Sequence, residues 1–241
     1  MAQSFPIKEA VLFGWRKVRA HSGLVFGVTL TMFALQVASS AVQRGYQDTL
    51  MGAVASVVLA VLGIFLGAGM TLIFLRLAKG EPARYRDIIP PVGLVWKYFC
   101  ASLLTGIISF LPLAAGALAA LALLLSAGAI NLSEGTAVPG HGGAIAGAIV
   151  IMAMAACAAF YFAIRYSMAR LVVIDGAGAL ESLSKSTALT SGVKWRIALF
   201  MLAILGLNIL GLLALLVGLL VTIPVSFLAF AHVYLWLKER A

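Results

Sequence analysis

The sequence predicts an all-α polytopic membrane protein, with six transmembrane helices folded as three hairpins and short amphipathic helices on the cytoplasmic side. Three observations predict it. Of its 241 residues, 63% are apolar and 10% are charged, where a soluble domain carries roughly a quarter charged residues. The apolar residues gather in long runs, and the last run, Ile197 to Leu237, holds forty-one residues without one Asp, Glu, Lys or Arg. At about 1.5 Å per residue that is roughly 60 Å of helix, two crossings of a hydrocarbon core of about 30 Å. An open chain cannot sit in lipid, so the run reads as two helices back to back. Finally, sixteen of the 17 Lys and Arg lie in the two ends and two connecting segments, and only Arg44 lies elsewhere. That bias marks segments retained in the cytoplasm.

Residues 4–19 pattern as an amphipathic helix. Ile7, Val11, Trp15 and Val18 recur at helical spacing, while Lys8, Glu9, Arg16, Lys17 and Arg19 lie largely away from them. Ser4 can cap it and Pro6 fits its first turn. It is expected along the cytoplasmic interface, ahead of a first span at about 22–42. Ala38-Ser39-Ser40 looks like a cleavage site, but the basic leader and apolar run are long for a secretory signal, so the run is expected to remain as a span. A short outer turn with Arg44, Tyr46 and Asp48 follows. Span two, about 50–75, carries Gly63-x-x-x-Gly67, a spacing that lets helix backbones approach closely.

The second cytoplasmic segment, 76–97, is basic and broken by Pro82, Pro90 and Pro91. Span three, about 98–125, contains Pro112 and is expected to kink there. Residues 130–143 hold turn formers, one acid (Glu134) and no Lys or Arg, as an outer loop would. Span four, about 144–164, is rich in alanine, as is span three, so close contact between the two is expected. In the third cytoplasmic segment, 165–196, Asp175-Gly176 breaks the chain, 180–189 forms a short helix and Gly192 ends it. Spans five and six, about 197–215 and 218–237, complete one membrane domain over 1–241, with Pro224 bending the last helix.

Gly14-Trp15-Arg16, Val95-Trp96-Lys97 and Lys194-Trp195-Arg196 each open an inward-to-outward span. Their spacings, 81 and 99 residues, are too unequal for a strict repeat. All four Trp, counting Trp236, fall at one interface, where indole rings prefer to sit.

The net charge of +9 would point to nucleic acid in a soluble protein. Here charge placement is a topology signal, and no nucleic-acid partner is expected. Cys100 and Cys157 are isolated in apolar runs, without a metal-ligand or disulfide spacing. His21, His141 and His232 belong to three separate places, so no metal site is expected.

Catalysis inside a membrane leaves ionisable or metal-binding groups within the spans, because such groups are costly there without a task. The predicted spans hold no charged residue, and no nucleophile motif accompanies a histidine. No catalytic residue and no cofactor is expected, and the chain reads as a non-enzyme. Two readings stay open. In one, Arg165, Arg170, Lys185 and Arg196 grip lipid headgroups, anionic ones above all, from a basic, Trp-lined collar. In the other, Gln36, Thr105, Asn208 and Thr222 line a polar path for a small solute, with Pro112 and Pro224 supplying broken helices.

One stretch carries a resemblance. It comprises Asp175-Gly176, Ala179-Leu180-Glu181-Ser182-Leu183, Ser186, Leu189-Thr190-Ser191-Gly192 and Trp195-Arg196, then the glycine-spaced hairpin with Pro224 and Tyr234. Over about 160–238 it resembles uncharacterised six-span bacterial membrane proteins similar to the membrane domain of glycerophosphodiester phosphodiesterases. The resemblance implies a six-helix membrane module and no chemistry, since no soluble phosphodiesterase part has a counterpart here. The expectation is a module of a bacterial-type plasma membrane, both termini cytoplasmic, that binds lipid or a partner protein; the alternative is a small-solute transporter or channel.

Overall fold

The computed structural model describes residues 6–46, 49–131, 136–137, 140–214 and 217–240. The chain is almost wholly helical: α1 (Ile7–Ala20), α2 (Ser22–Gly45), α3 (Leu50–Lys79), a 3-10 turn at Tyr85–Ile88, α4 (Val92–Ser126), α5 (Gly142–Arg165), α6 (Ala169–Ile174), α7 (Ala179–Thr190), α8 (Lys194–Leu213) and α9 (Val217–Lys238). Between α4 and α5, the two-residue strands β1 (Ile130–Asn131) and β2 (Thr136–Ala137) pair antiparallel. Six helical runs are long and apolar enough to cross a membrane: α2, α3, α4, α5 with α6, α8 and α9. The fold is all-α and polytopic.

Helix ends follow local chemistry more closely than charge. Helix α4 starts at Val92, directly after Pro90-Pro91, where the Pro91 carbonyl accepts the N–H groups of Leu94 and Val95. Proline is tolerated there because the first N–H groups of a helix lack intrahelical partners. Gly80, at φ 79°, ends α3 in the left-handed conformation that glycine adopts without penalty. Pro112 and Pro224 lie inside continuous helices. The third connecting segment contains α7 where a short helix is expected, and a second helix, α6, ahead of it.

The chain divides into two compact units, one of residues 1–101 with 168–241 and one of residues 102–167. In the second unit, α4 and α5 meet through small residues. A Cβ at Gly116 would overlap that of Ala155, and one at Gly147 would stand 2.9 Å from a Leu123 methyl. The alanine-rich contact expected from sequence forms at these positions.

In the first unit the core gathers toward the C-terminal ends of α3 and α9. Val18, Val25, Val28, Met70, Ile73, Phe74, Leu77, Ile88, Val225 and Leu228 form one buried cluster. Helix α1 joins it through Ala10, Gly14 and Val18. A Cβ at Gly14 would overlap the Val225 carbonyl oxygen, and the Phe13 ring stacks on His232 at 4.3 Å. Of the expected apolar stripe, Val18 is buried, Ile7 and Val11 are half-buried, and Trp15 is exposed. After α3 the chain folds back along it. The Ile88 carbonyl packs on Gly69, the Tyr85 and Thr31 hydroxyls lie 2.6 Å apart, and Asp87 pairs with Arg76 at 2.9 Å.

Candidate functional site

Helix α6 positions the site. Ala169, Leu171, Val172, Val173 and Ile174 are buried, which anchors the six-residue helix among its neighbours. Helix α7 presents Ser182, Ser186 and Thr190, spaced four apart and fully buried. Their small side chains let α7 come close, and the Ser186 hydroxyl accepts the Met168 backbone N–H at 3.3 Å. Gly176, at φ 109°, turns the chain between the two helices.

This arrangement sets the Asp175 carboxylate, 8% exposed, against the ends of α3 and α9. Its Oδ1 accepts from Lys79 Nζ at 2.6 Å. Its Oδ2 accepts from Tyr234 Oη at 2.7 Å and from Lys238 Nζ at 2.5 Å. Burial pushes the Asp175 pKa up, but hydrogen bonds from Lys238, Lys79 and Tyr234 outweigh it and hold the group below its ordinary value. A carboxylate engaged by three donors is a weak base. It joins α3, α6 and α9 rather than poising a proton for transfer.

Beside it opens a cleft of about 480 Å³, bounded by α6, α7 and α9. Val172, Ala177, Ala188 and Leu189 give it apolar walls, and Lys185 and Lys238 stand at its polar positions with Glu181 and Asp175. Lys185 pairs with Glu181 at 2.6 Å, with both side chains more than half exposed. The cleft thus sets apolar walls beside two lysine–carboxylate pairs, Lys185 with Glu181 and Lys238 with Asp175.

The headgroup residues expected from sequence are only partly assembled. Lys185 lies in the cleft, whereas Arg165 at the end of α5, the exposed Arg170 on α6 and the exposed Arg196 in the first turn of α8 are not among its lining residues. The polar-path residues also separate. Asn208 Nδ2 donates to the Ile204 carbonyl at 3.0 Å and to Ser226 Oγ at 3.2 Å, and Ser226 Oγ donates to the Thr222 carbonyl at 2.7 Å. Asn208 and Thr222 thus share one seam between α8 and α9. Asn208 Oδ1 and Thr222 Oγ1 are buried there without a hydrogen-bond partner among the described residues. Gln36 instead lines a groove between α2 and α3 that contains neither of them. Thr105 is buried in the other unit, with its hydroxyl donating to the Ser102 carbonyl.

Asp175 as a joining group is absent from the sequence reading, which sees only a chain break at Asp175-Gly176. Its signal is present in the chain: an acid directly after the apolar run Leu171 to Ile174, inside a segment with five Lys and Arg and one other acid, Glu181. Among the described residues, no group of three His, Cys, Asp or Glu side chains is placed to hold a metal ion.

Over residues 14–241 the chain matches the family model described as a protein of unknown function, DUF975. The chain belongs to the DUF975 family. No curated protein and no solved structure matches it. Nothing in these comparisons ties this DUF975 chain to the glycerophosphodiester phosphodiesterase membrane domain; the likeness over 160–238 rests on the quoted residues alone.

Proposed function

We propose that this DUF975 protein is a non-enzymatic module of a bacterial-type plasma membrane, both termini cytoplasmic, whose basic face holds lipid through anionic headgroups. One observation supports the reading: the cleft of about 480 Å³ between α6, α7 and α9, with apolar walls and with Lys185 and Lys238 at its polar positions, each paired with a carboxylate. Lys185 is available to such a ligand. Its bond to Glu181 is exposed, and an exposed ion pair is worth about 0–1 kcal/mol, so a phosphate can displace it. Each basic residue near an anionic surface contributes about 1 kcal/mol. Exposed Trp96 and Trp195 beside Lys97 and Arg196 fit a collar at headgroup depth. Native mass spectrometry tests the reading. Removing Arg165, Arg170 and Lys185 together weakens retention of anionic lipid about ten-fold or more relative to zwitterionic lipid. Unchanged retention refutes it. Docking of a partner protein on the same face is the related form of this reading, and co-purification in mild detergent separates the two.

A second reading, passage of a small solute, draws on the groove of about 260 Å³ that carries Gln36 between α2 and α3. Solute flux into proteoliposomes that falls when Gln36 is replaced by Leu would favour it over the lipid-holding reading.

A further inference from the structure

The α2–α3 hairpin and the α8–α9 hairpin reach different depths. Phe74 of α3 and Phe227 of α9 are in ring contact at 5.8 Å, and near the C-terminal ends Lys79 and Lys238 both reach Asp175. Helices α3 and α9 therefore run side by side in the same direction. From their shared contact, α3 continues back to Leu50 over about 36 Å of helical rise, whereas α9 continues back to Val217 over about 15 Å. Tilting α3 by about 40°, the upper end of what membrane helices show, still leaves it roughly 28 Å. The turn between α8 and α9 thus falls well short of the turn between α2 and α3.

The turns differ in chemistry as their depths require. The sequence between α2 and α3 is polar, with Gln43, Arg44 and Tyr46 at its described start. Residues 211–218 are Gly, Leu, Ala and Val alone. At the ends of that apolar turn, Ala214 N–H donates to the Leu210 carbonyl at 3.1 Å and Gly218 N–H to the Ala214 carbonyl at 3.4 Å. A turn that carries no polar side chain adds no side-chain desolvation cost in lipid.

The space beyond the tip is polar. Val225 and Leu228 pack in one cluster with Val25 and Val28 of α2 and Met70 and Ile73 of α3. Toward the outer turn, past the end of α9, the groove between α2 and α3 is lined by Gln36, Ser39, Gln43 and Ser56 among Leu35 and Leu59. Four uncharged hydrogen-bonding side chains facing one groove are costly against lipid tails and favourable against water.

We propose that α8–α9 is a re-entrant hairpin that dips in from the basic side and turns back within the hydrocarbon. The α2–α3 groove beyond its tip is then an aqueous recess from the opposite side, suited to water and small uncharged polar solutes. All six helical runs meet the length needed to cross; the packing register adds how deep this pair goes. The inference stands independently of lipid binding at the basic face.

Single cysteines in a Cys100→Ala, Cys157→Ala background test it, using a membrane-impermeant maleimide on right-side-out and inside-out vesicles. Gln43→Cys and Ser56→Cys label from the face that labels Tyr46→Cys. Leu213→Cys and Ala214→Cys label from neither face, at under one-tenth of the Tyr46→Cys rate, and label fully after denaturation. A spin label at Leu213 is broadened by oxygen and little by a water-soluble nickel chelate. Labelling of Leu213→Cys from either face at a rate comparable to Tyr46→Cys, or broadening of its spin label chiefly by nickel, overturns the re-entrant turn. A silent Ser56→Cys overturns the recess.

Discussion

At Asp175, three donors from two helices converge on one buried carboxylate, and the stability this confers has a definite pH dependence. Asp175 has a depressed pKa in the folded chain, so its contribution is present above the unfolded carboxylate value near 3.9 and is lost as pH falls through the folded value. Asp175→Asn is expected to destabilise the protein by about 2–3 kcal/mol at pH 7, and Tyr234→Phe by about 1–2 kcal/mol, which removes one of the three bonds. Thermal unfolding in detergent checks both. The gap between wild type and Asp175→Asn narrows below about pH 4; a gap that stays constant from pH 7 to pH 3 contradicts the assignment. Composition and periodicity do not reveal this group because the donors lie 59 to 96 residues away in sequence. The connecting segment shows that an acid is present, and only the packing of α6 shows what it meets. The same limit applies to Asn208, whose amide is visible as the most polar side chain of the apolar run 197–215 while its bond to Ser226 is not.

At the level of elements, the apolar runs fix where the long helices lie, because twenty residues without charge in helical register have few alternatives in a membrane. Their ends were less legible. Lys97 marks a charged boundary, yet α4 begins five residues earlier, since proline placement decides where backbone bonding starts. Helix α1 illustrates a further limit. Its large apolar residues define one stripe, but its buried residues are Ala10, Gly14 and Val18, and at Gly14 the absence of a side chain lets α1 approach Val225 and Ala229 of α9. The short helix α6 was not legible at all: six residues, five of them buried, carry no periodic signal of their own. The α1–α9 contact makes a prediction with an internal control. Gly14→Ala places a methyl group on the Val225 carbonyl and is expected to cost about 1–3 kcal/mol, as overpacking does. Gly23→Ala, with nothing within 4 Å of the added carbon, is expected to be neutral or to stabilise by up to about 1 kcal/mol. If both variants unfold at the same temperature, α1 is not seated on α9 as described.

For the whole molecule, orientation follows from where cations are retained, and apolar length alone carries no direction. Sixteen of 17 Lys and Arg lie in the two ends and two connecting segments, all expected on one side. Moving those segments across would take charged groups through the hydrocarbon, while the opposite arrangement moves one, Arg44. A re-entrant α8–α9 leaves this balance intact, since both of its ends return to the basic side. Reporter fusions separate the possibilities. A phosphatase active only outside the cytoplasm is expected to work when joined after Gly140 and to fail when joined after Glu81 or Arg240. A fluorescent protein that matures only in the cytoplasm should show the reverse. Joined after Leu213, the phosphatase is expected to stay inactive, because a turn that ends within the bilayer gives it no exit. Activity there as high as after Gly140 would make α8 a full crossing. Activity after Arg240 would reverse the orientation and, with it, the side of the membrane on which the lysine-bearing cleft lies.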